Sequence, residues 1–446
     1  MGEMKLMKIF FLAVGLCAFS SFGWSAVSST EAARLGRDLT PVGAEDHGNG
    51  SDIPDWQNGL IQSRLAQITE KQNPFSNEKA LYRIDYNNMA SHLDRLTNGQ
   101  QEMLKRYSDY YLNIYPSYRV ATYPGFVYDA IKANATSANL LPLGSGVTGA
   151  VIGAPFPIPE NALEVLFNHI LRFRESSLEF TSLSSLVDEN GNRNDTLRKY
   201  RYYLHYCKPG LQPEELDNKL FFMSWTVLAP DSIRGTKVLL HEPMDRIVTP
   251  RKAWILLPGD HRAHRAPNLA YDELDPNSFL LRTVDQTDMF NGTPDRYDWS
   301  LLGKKEVYIP YNAYALSDST LNLDRLLSKG HVNPKFLRYE PHRVWVIEAK
   351  LRTGMKHRYV RRRFYLDEDS WTIVYAEMYD QDDTIWQFSE SHLVGSDTIP
   401  LMKSALEVTY DFKSERYFVD GLGIERSDNQ VQFLENDFSA SSLGND

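Results

Sequence analysis

His357-Arg358-Tyr359-Val360-Arg361-Arg362-Arg363-Phe364-Tyr365-Leu366 runs into Asp367-Glu368-Asp369-Ser370, and Trp371-Thr372-Ile373-Val374-Tyr375-Ala376-Glu377-Met378-Tyr379 runs back. Asp380-Gln381-Asp382-Asp383 breaks the chain again before Ile385-Trp386-Gln387-Phe388. Runs dense in aromatic and β-branched residues favour strands, and Asp at the breaks turns the chain by bonding nearby backbone groups. The stretch therefore predicts a three-stranded meander over 358–366, 371–380 and 385–393. The same pattern recurs at 200–206, 220–229, 237–241, 253–257, 305–310, 343–350, 405–412 and 416–419. Few helical periods lie between these segments, which predicts an antiparallel sheet or open barrel, mainly β with helices, and not a parallel βαβ core.

Upstream of the strands the pattern is different. Leu163, Leu166, Phe167, Ile170 and Phe173 recur at helical spacing behind Pro159, predicting a helix over 160–174 whose apolar side packs on something large. Residues 27–159 read as an extended amino-terminal arm with short helices and a Pro/Gly-rich linker. Ser28 to Glu31 has capping-box spacing ahead of 32–39, and Thr97 to Gln100 opens a helix with Met103, Leu104, Tyr107 and Tyr111 on one side. A further short helix is expected over 126–134, and 40–56 reads as loop. The body over 160–446 and the arm form one fold in this reading.

Residues 1–26 read as an export signal. Lys5 and Lys8 precede the apolar run from Ile9 to Phe19, and Ser25 and Ala26 offer a cleavage point. Leu16 stands where a lipoprotein signal wants a small residue before Cys17, so acylation is disfavoured. The exported chain would keep Cys207 as its one thiol, read as a buried strand residue that closes no internal bridge. The expected location is the periplasm, in possible association with the envelope. A net charge of −10 argues against a nucleic-acid partner, and 42% hydrophobic with 24% charged residues is ordinary globular composition.

With the meander in place, the chain resembles the LolA/LolB-like superfamily, in which a strand ending Tyr-Leu-Asp enters a turn and the next ends in an Asp-led turn. It is most similar to a large bacterial branch described as outer-membrane lipoprotein-sorting-like. The matching stretches include Ala32 to Ala44, Pro155-Phe156-Pro157-Ile158-Pro159, Arg251-Lys252-Ala253-Trp254, Phe290 to Trp299, Tyr308-Ile309-Pro310-Tyr311-Asn312 and Arg362 to Trp371. The resemblance implies a strongly curved, unclosed, β-barrel-like antiparallel sheet covered by helices on its concave side, with an apolar ligand held between. It also implies an inner-membrane transporter of the resistance-nodulation-division type, or an outer-membrane component, as partner. No residue role is carried over from the family.

Strand alternation sends Arg362 to the side of Val360 and Phe364, and Arg361 and Arg363 to the other. A guanidinium on a semi-apolar side suits a lipid phosphate or carboxylate, with Arg362 the anchor. The favoured competing reading is structural ion pairing, with Glu348 or Glu377 as partners. His241, His261 and His264 have loose zinc spacing but neighbour Arg262 and Arg265, and read as exposed turn residues. Asp288, Asp295 and Asp298 around Asn291-Gly292 read as a turn cluster with local Asp295–Arg296 pairing. No catalytic centre, metal site or cofactor is expected.

The expected function is a non-catalytic carrier or chaperone that buries a lipid or other apolar ligand. At about 25 cal/mol per Å² of apolar area, enclosing one acyl chain is worth several kcal/mol. Leu163, Phe167 and Ile170 on the covering helix, with Arg361, Arg362 and Arg363, are the expected ligand-binding residues, and that helix is expected to shift for transfer. A structural or accessory subunit of an envelope complex, docking neighbours through 154–159 and the arm, is the second reading. A hydrolase using Asp295 and Asp298 ranks last.

Overall fold

The computed structural model describes residues 26–56, 73–266, 270–318, 320–396, 399–426 and 431–444. The export signal and Cys17 lie outside the described residues. The strands are β1 (Tyr82–Ile84), β2 (Leu112–Ile114), β3 (Asn139–Leu140), β4 (Val147–Thr148), β5 (Ser177–Val187), β6 (Arg193–Tyr203), β7 (Lys219–Ala229), β8 (Lys237–Pro243) and β9 (Lys252–Leu256). They continue as β10 (His264–Arg265), β11 (Tyr297–Pro310), β12 (Tyr339–Leu351), β13 (Arg361–Asp367), β14 (Ile373–Tyr379), β15 (Ile385–Gly395), β16 (Met402–Asp411) and β17 (Arg416–Arg426). All but β3 and β4 join one sheet in the order β1-β2-β12-β13-β14-β15-β16-β17-β5-β6-β7-β8-β9-β10, with β11 added on β12. The ends do not pair with each other, so the sheet is unclosed. Its ladders are antiparallel apart from a single parallel bridge between Tyr339 and Ile114.

Each of the eleven expected strands is present. β5 was not expected. Its sequence, Ser-Leu-Glu-Phe-Thr-Ser-Leu-Ser-Ser-Leu-Val, is diluted by Ser and Thr, so its alternation is easy to overlook. It nonetheless joins the carboxy-terminal β17 to β6, and without it the sheet would fall into two pieces.

The helices are α1 (Ser29–Ala32), α2 (Asn98–Arg106), α3 (Gly125–Ser137), α4 (Ala162–Ile170) and α5 (Leu323–Leu326). Thr97 and Gln100 form the reciprocal cap of α2 that the sequence indicated. α1 is shorter than expected and begins earlier, with Ser28 accepting from the Glu31 N–H. α4 is also shorter than the expected 160–174: Asn161 caps it and Leu171 ends it. No helix among the described residues is long and apolar enough to cross a membrane.

One apolar core joins Phe221, Met223 and Trp225 of β7 and Leu240 of β8 to Ile347, Phe364 and Met378 of β12–β14, through Val165, Leu166, Phe167 and Ile170 of α4. Residues of strands far apart in the sheet order gather in this one cluster, so the sheet curves around it and this is the concave, inner face. Val127 and Ile131 of α3 belong to the same core. The other face carries a second core, in which Met103 and Leu104 of α2 pack with Tyr375, Phe388, Tyr410 and Tyr417. The segment 154–159, expected as a docking element, has Ala154 and Phe156 in the inner core, and Asn168 bonds both the N–H and the C=O of Phe156 at 2.8 and 2.7 Å.

α2 is pressed against the second core at Gly99, whose N–H donates to Glu377 Oε1 at 2.8 Å. A Cβ there would fall 2.0 Å from Phe388 Cδ2. Phe388 is fully buried and stacked against Tyr375 and Tyr410, so it has no room to yield. Gly99→Ala is therefore expected to lower stability by about 1–3 kcal/mol through overpacking, read as a reduced urea midpoint.

Candidate functional site

The inner face of β5–β7 carries a run of aromatic rings. Antiparallel register sets Leu178 opposite Tyr202, Phe180 opposite Tyr200 and Ser182 opposite Arg198, and on the far side Tyr200 opposite Trp225. Residues directly opposite share a face, so these side chains project together. Phe180 stacks on Tyr200 with ring centroids 5.3 Å apart and on Tyr202 at 6.0 Å, and Trp225 lies 6.5 Å from Tyr200. Leu178, Phe180, Tyr200 and Tyr202 are only partly buried although they face into the curved sheet. Burial pushes the phenols of Tyr200 and Tyr202 up.

Charged side chains lie near these rings: Arg174 and Asp288 both act on the Tyr202 phenol. Beyond the end of α4, Arg172 grips Asp288 through two nitrogens at 2.5 and 3.0 Å, and Arg174 reaches it at 3.1 Å. Burial alone would raise the Asp288 carboxyl, but the two guanidiniums outweigh it and hold it well below the usual range. Asp288 keeps 28% of its side chain accessible and Arg174 keeps 24%. His169 accepts the Ile373 N–H at Nδ1 (3.0 Å) and donates from Nε2 to the Asp288 carbonyl (2.8 Å). Burial and Arg172 push it down to about 3, which fixes it as a neutral ring. Further along, Arg282 lies 3.4 Å from Asp275, 3.5 Å from Asp420 and 3.8 Å from Glu407. Burial and Asp288 push the Glu407 carboxyl up to about 8.

Of the expected site residues, Leu163, Phe167 and Ile170 share the inner core with Leu178, Tyr200 and Tyr202, and the three arginines lie apart from these rings. Arg362 does share its face with Phe364, but it is fully buried and pairs with Asp285 at 2.5 Å, from a loop and not from a neighbouring strand. Arg361 and Arg363 pair with Glu348 at 3.3 and 2.7 Å, and Arg361 also with Asp383. They line an open groove of about 480 Å³ with Lys350 and Val360, on the face opposite the inner rings. Phe167 and Ile170 are buried in the inner core, with Leu163 packed against it. Asn168 ties α4 to Phe156, and His169 ties it to Ile373 and Asp288.

Other sequence candidates do not converge. Asp298 pairs with Arg352 at 2.8 Å, and Arg296 pairs with Asp272 instead of with its neighbour Asp295. His241 bonds the Phe438 carbonyl on the outer face, while His261 and His264 are exposed. Cys207 is buried as expected, in a 3₁₀ turn after β6 and not in a strand. The turn Asp367-Glu368-Asp369-Ser370 bonds its own backbone as expected, with Asp367 accepting the Ser370 N–H, but it is buried. Asp367 and Asp369 lie with His342 in the one grouping of potential metal ligands among the described residues. Arg119 already holds Asp369 at 2.7 and 2.8 Å, and Lys304 and Arg343 hold Glu368, so cationic side chains supply the charge a metal would bring.

A model of the family described as a protein of unknown function, DUF1329, matches residues 83–444. The chain belongs to that family. This DUF1329 chain is 37% identical over 451 residues to the uncharacterized protein PA3922 of Pseudomonas aeruginosa, covering 99% of each. Among solved structures it is similar to a DUF1329 family protein from Desulfovibrio piger, at 15% identity and TM-score 0.39, covering 60% of this chain and 91% of that one. It is also similar to the LolA superfamily protein NE2245 from Nitrosomonas europaea, at 13% identity and TM-score 0.36, covering 63% and 98%.

Sequence reasoning missed the aromatic run. Tyr200 and Tyr202 fell in an expected strand, and their two-residue spacing already put both phenols on one face. Without β5, Phe180 and Ser182 had no place beside them.

The Arg362–Asp285 pair yields a direct test. Arg362→Leu leaves a buried carboxylate without its guanidinium, and a loss of about 3–5 kcal/mol is expected in denaturant titration. Adding Asp285→Asn should recover part of that loss. A near-neutral single variant would show that the pair does not hold the loop to the sheet.

Proposed function

We propose that this DUF1329 chain is a periplasmic carrier that shields the acyl or other apolar part of a ligand in the hollow over β5–β7. The observation that carries this reading is the set of stacked rings of Phe180, Tyr200 and Tyr202 on an inner sheet face, which stay only partly buried. A core built only for stability buries its inward rings fully, because apolar ring area left in water forgoes the gain of burial. The mixed lining suits an amphiphile: rings for a chain, and Arg172, Arg174 and Asp288 for a polar end. The reading assigns no catalytic step.

The amino-terminal export signal supports the periplasm as the compartment. The family resemblance supports a membrane exporter or an outer-membrane component as donor or acceptor of the ligand. The arginines of 361–363 serve the fold in this proposal: Arg362 holds a loop, and Arg361 and Arg363 meet Glu348 on the opposite face.

Native mass spectrometry of the protein purified from its own host, with lipid extraction of the same sample, tests the proposal. A bound species of lipid mass that extraction releases is the expected result. Ligand-free protein that also fails to take up a fluorescent acyl probe would contradict it. A stoichiometric protein partner without lipid would point to the accessory-subunit reading instead.

A further inference from the structure

Seven arginines among the described residues are buried, and six of them are ion-paired. Arg119 sits on Asp369, Arg246 on Glu242, Arg282 on Asp275, Arg338 on Glu340, Arg343 on Glu368 and Arg362 on Asp285. Arg198 is the exception. It is 4% exposed and lies on the inner face of β6, two residues from Tyr200. Its Nη1 donates to Ser184 Oγ at 2.7 Å, its Nε has no partner, and no described carboxylate lies within 4.0 Å of it. Ser182, directly opposite on β5, also has a buried hydroxyl without a partner. The nearby carboxylates Asp275 and Asp420 are already engaged by Arg282.

A guanidinium withdrawn from water with no counter-charge is costly, and the other six buried arginines show that this fold otherwise pairs them. No described residue supplies that counter-charge, and an anionic ligand can supply it. We infer that Arg198, with the hydroxyls of Ser182 and Tyr200, receives the anionic head group of an acyl amphiphile whose chain lies against Phe180, Tyr202 and Trp225. Carboxylate and phosphate share the required chemistry, since both present oxygens to a planar donor fork. The inference rests on the carrier reading and adds to it the charge of the ligand and the residue that reads it.

Displacement of a dansyl-labelled fatty acid by hexadecanoate, hexadecyl phosphate and hexadecanol at pH 8 tests the inference on the whole protein. All three share one chain, so the head group alone differs. One or both anions should bind at least about tenfold more tightly than the alcohol, the scale of a charge-assisted hydrogen bond, and the two anion arms tell carboxylate from phosphate. Arg198→Met should abolish that preference while leaving hexadecanol affinity unchanged. Arg198→Gln, which can keep a hydrogen bond to Ser184, carries the same expectation should the methionine variant not fold. Equal binding of all three by the native protein, or a preference that survives in a folded variant, would overturn the role of Arg198 and leave the carrier reading standing. Binding of none of the three, with no uptake of the labelled acid, would remove the carrier reading itself.

Discussion

Asp288 holds Arg172 and Arg174 inside the protein, and much of the inner architecture follows from that contact. Two guanidiniums just beyond α4 would otherwise repel each other and seek water. With Asp288 between them they stay inside and fix the end of the helix against its loop. The Asp288 carbonyl then accepts from His169, whose other nitrogen accepts the Ile373 N–H of β14, so helix, loop and sheet are tied at one point. The tie sets α4 against β12 and β14, while the inward rings of β5 and β6 stay only partly buried.

The same rule of charge explains the other face of the meander. Asp367, Glu368 and Asp369 look like a solvent turn by composition, because Asp commonly turns exposed chain. In the fold they lie under the amino-terminal segment: Arg119 bridges Asp369 to the carbonyls of Glu45 and Asp46, and Lys304 joins Glu368 to the Glu45 carboxylate. The turn thus fastens the residues around 45 to the sheet. Trp371, at φ 57°, completes the reversal, and its indole N–H donates to the Val42 carbonyl.

How much of this was legible depends on which residues carried the signal. Strands rich in Tyr, Phe and Val were readable because their composition and acidic turns agree. β5 was not, since alternating Ser and Leu makes a weak pattern. The face of Arg362 followed from alternation, but its partner did not, because Asp285 approaches through tertiary folding across 77 positions of chain. The length of α4 was overestimated because Arg172 and Phe173 continue the helical spacing of 160–174, although the chain leaves the helix at Leu171. The unpaired state of Arg198 was beyond sequence reasoning, since it is visible only when every neighbouring carboxylate has been assigned elsewhere.

The central claim is that an acyl ligand occupies the inner face of β5–β7. Photo-crosslinking with a diazirine-bearing sixteen-carbon fatty acid, followed by peptide mapping, addresses it most directly. The account predicts adducts concentrated in Ser177–Val187, Arg193–Tyr203 and Lys219–Ala229, suppressed by excess unlabelled fatty acid. Adducts confined to the Arg361–Arg363 groove, or scattered over exposed residues and insensitive to competitor, would contradict it.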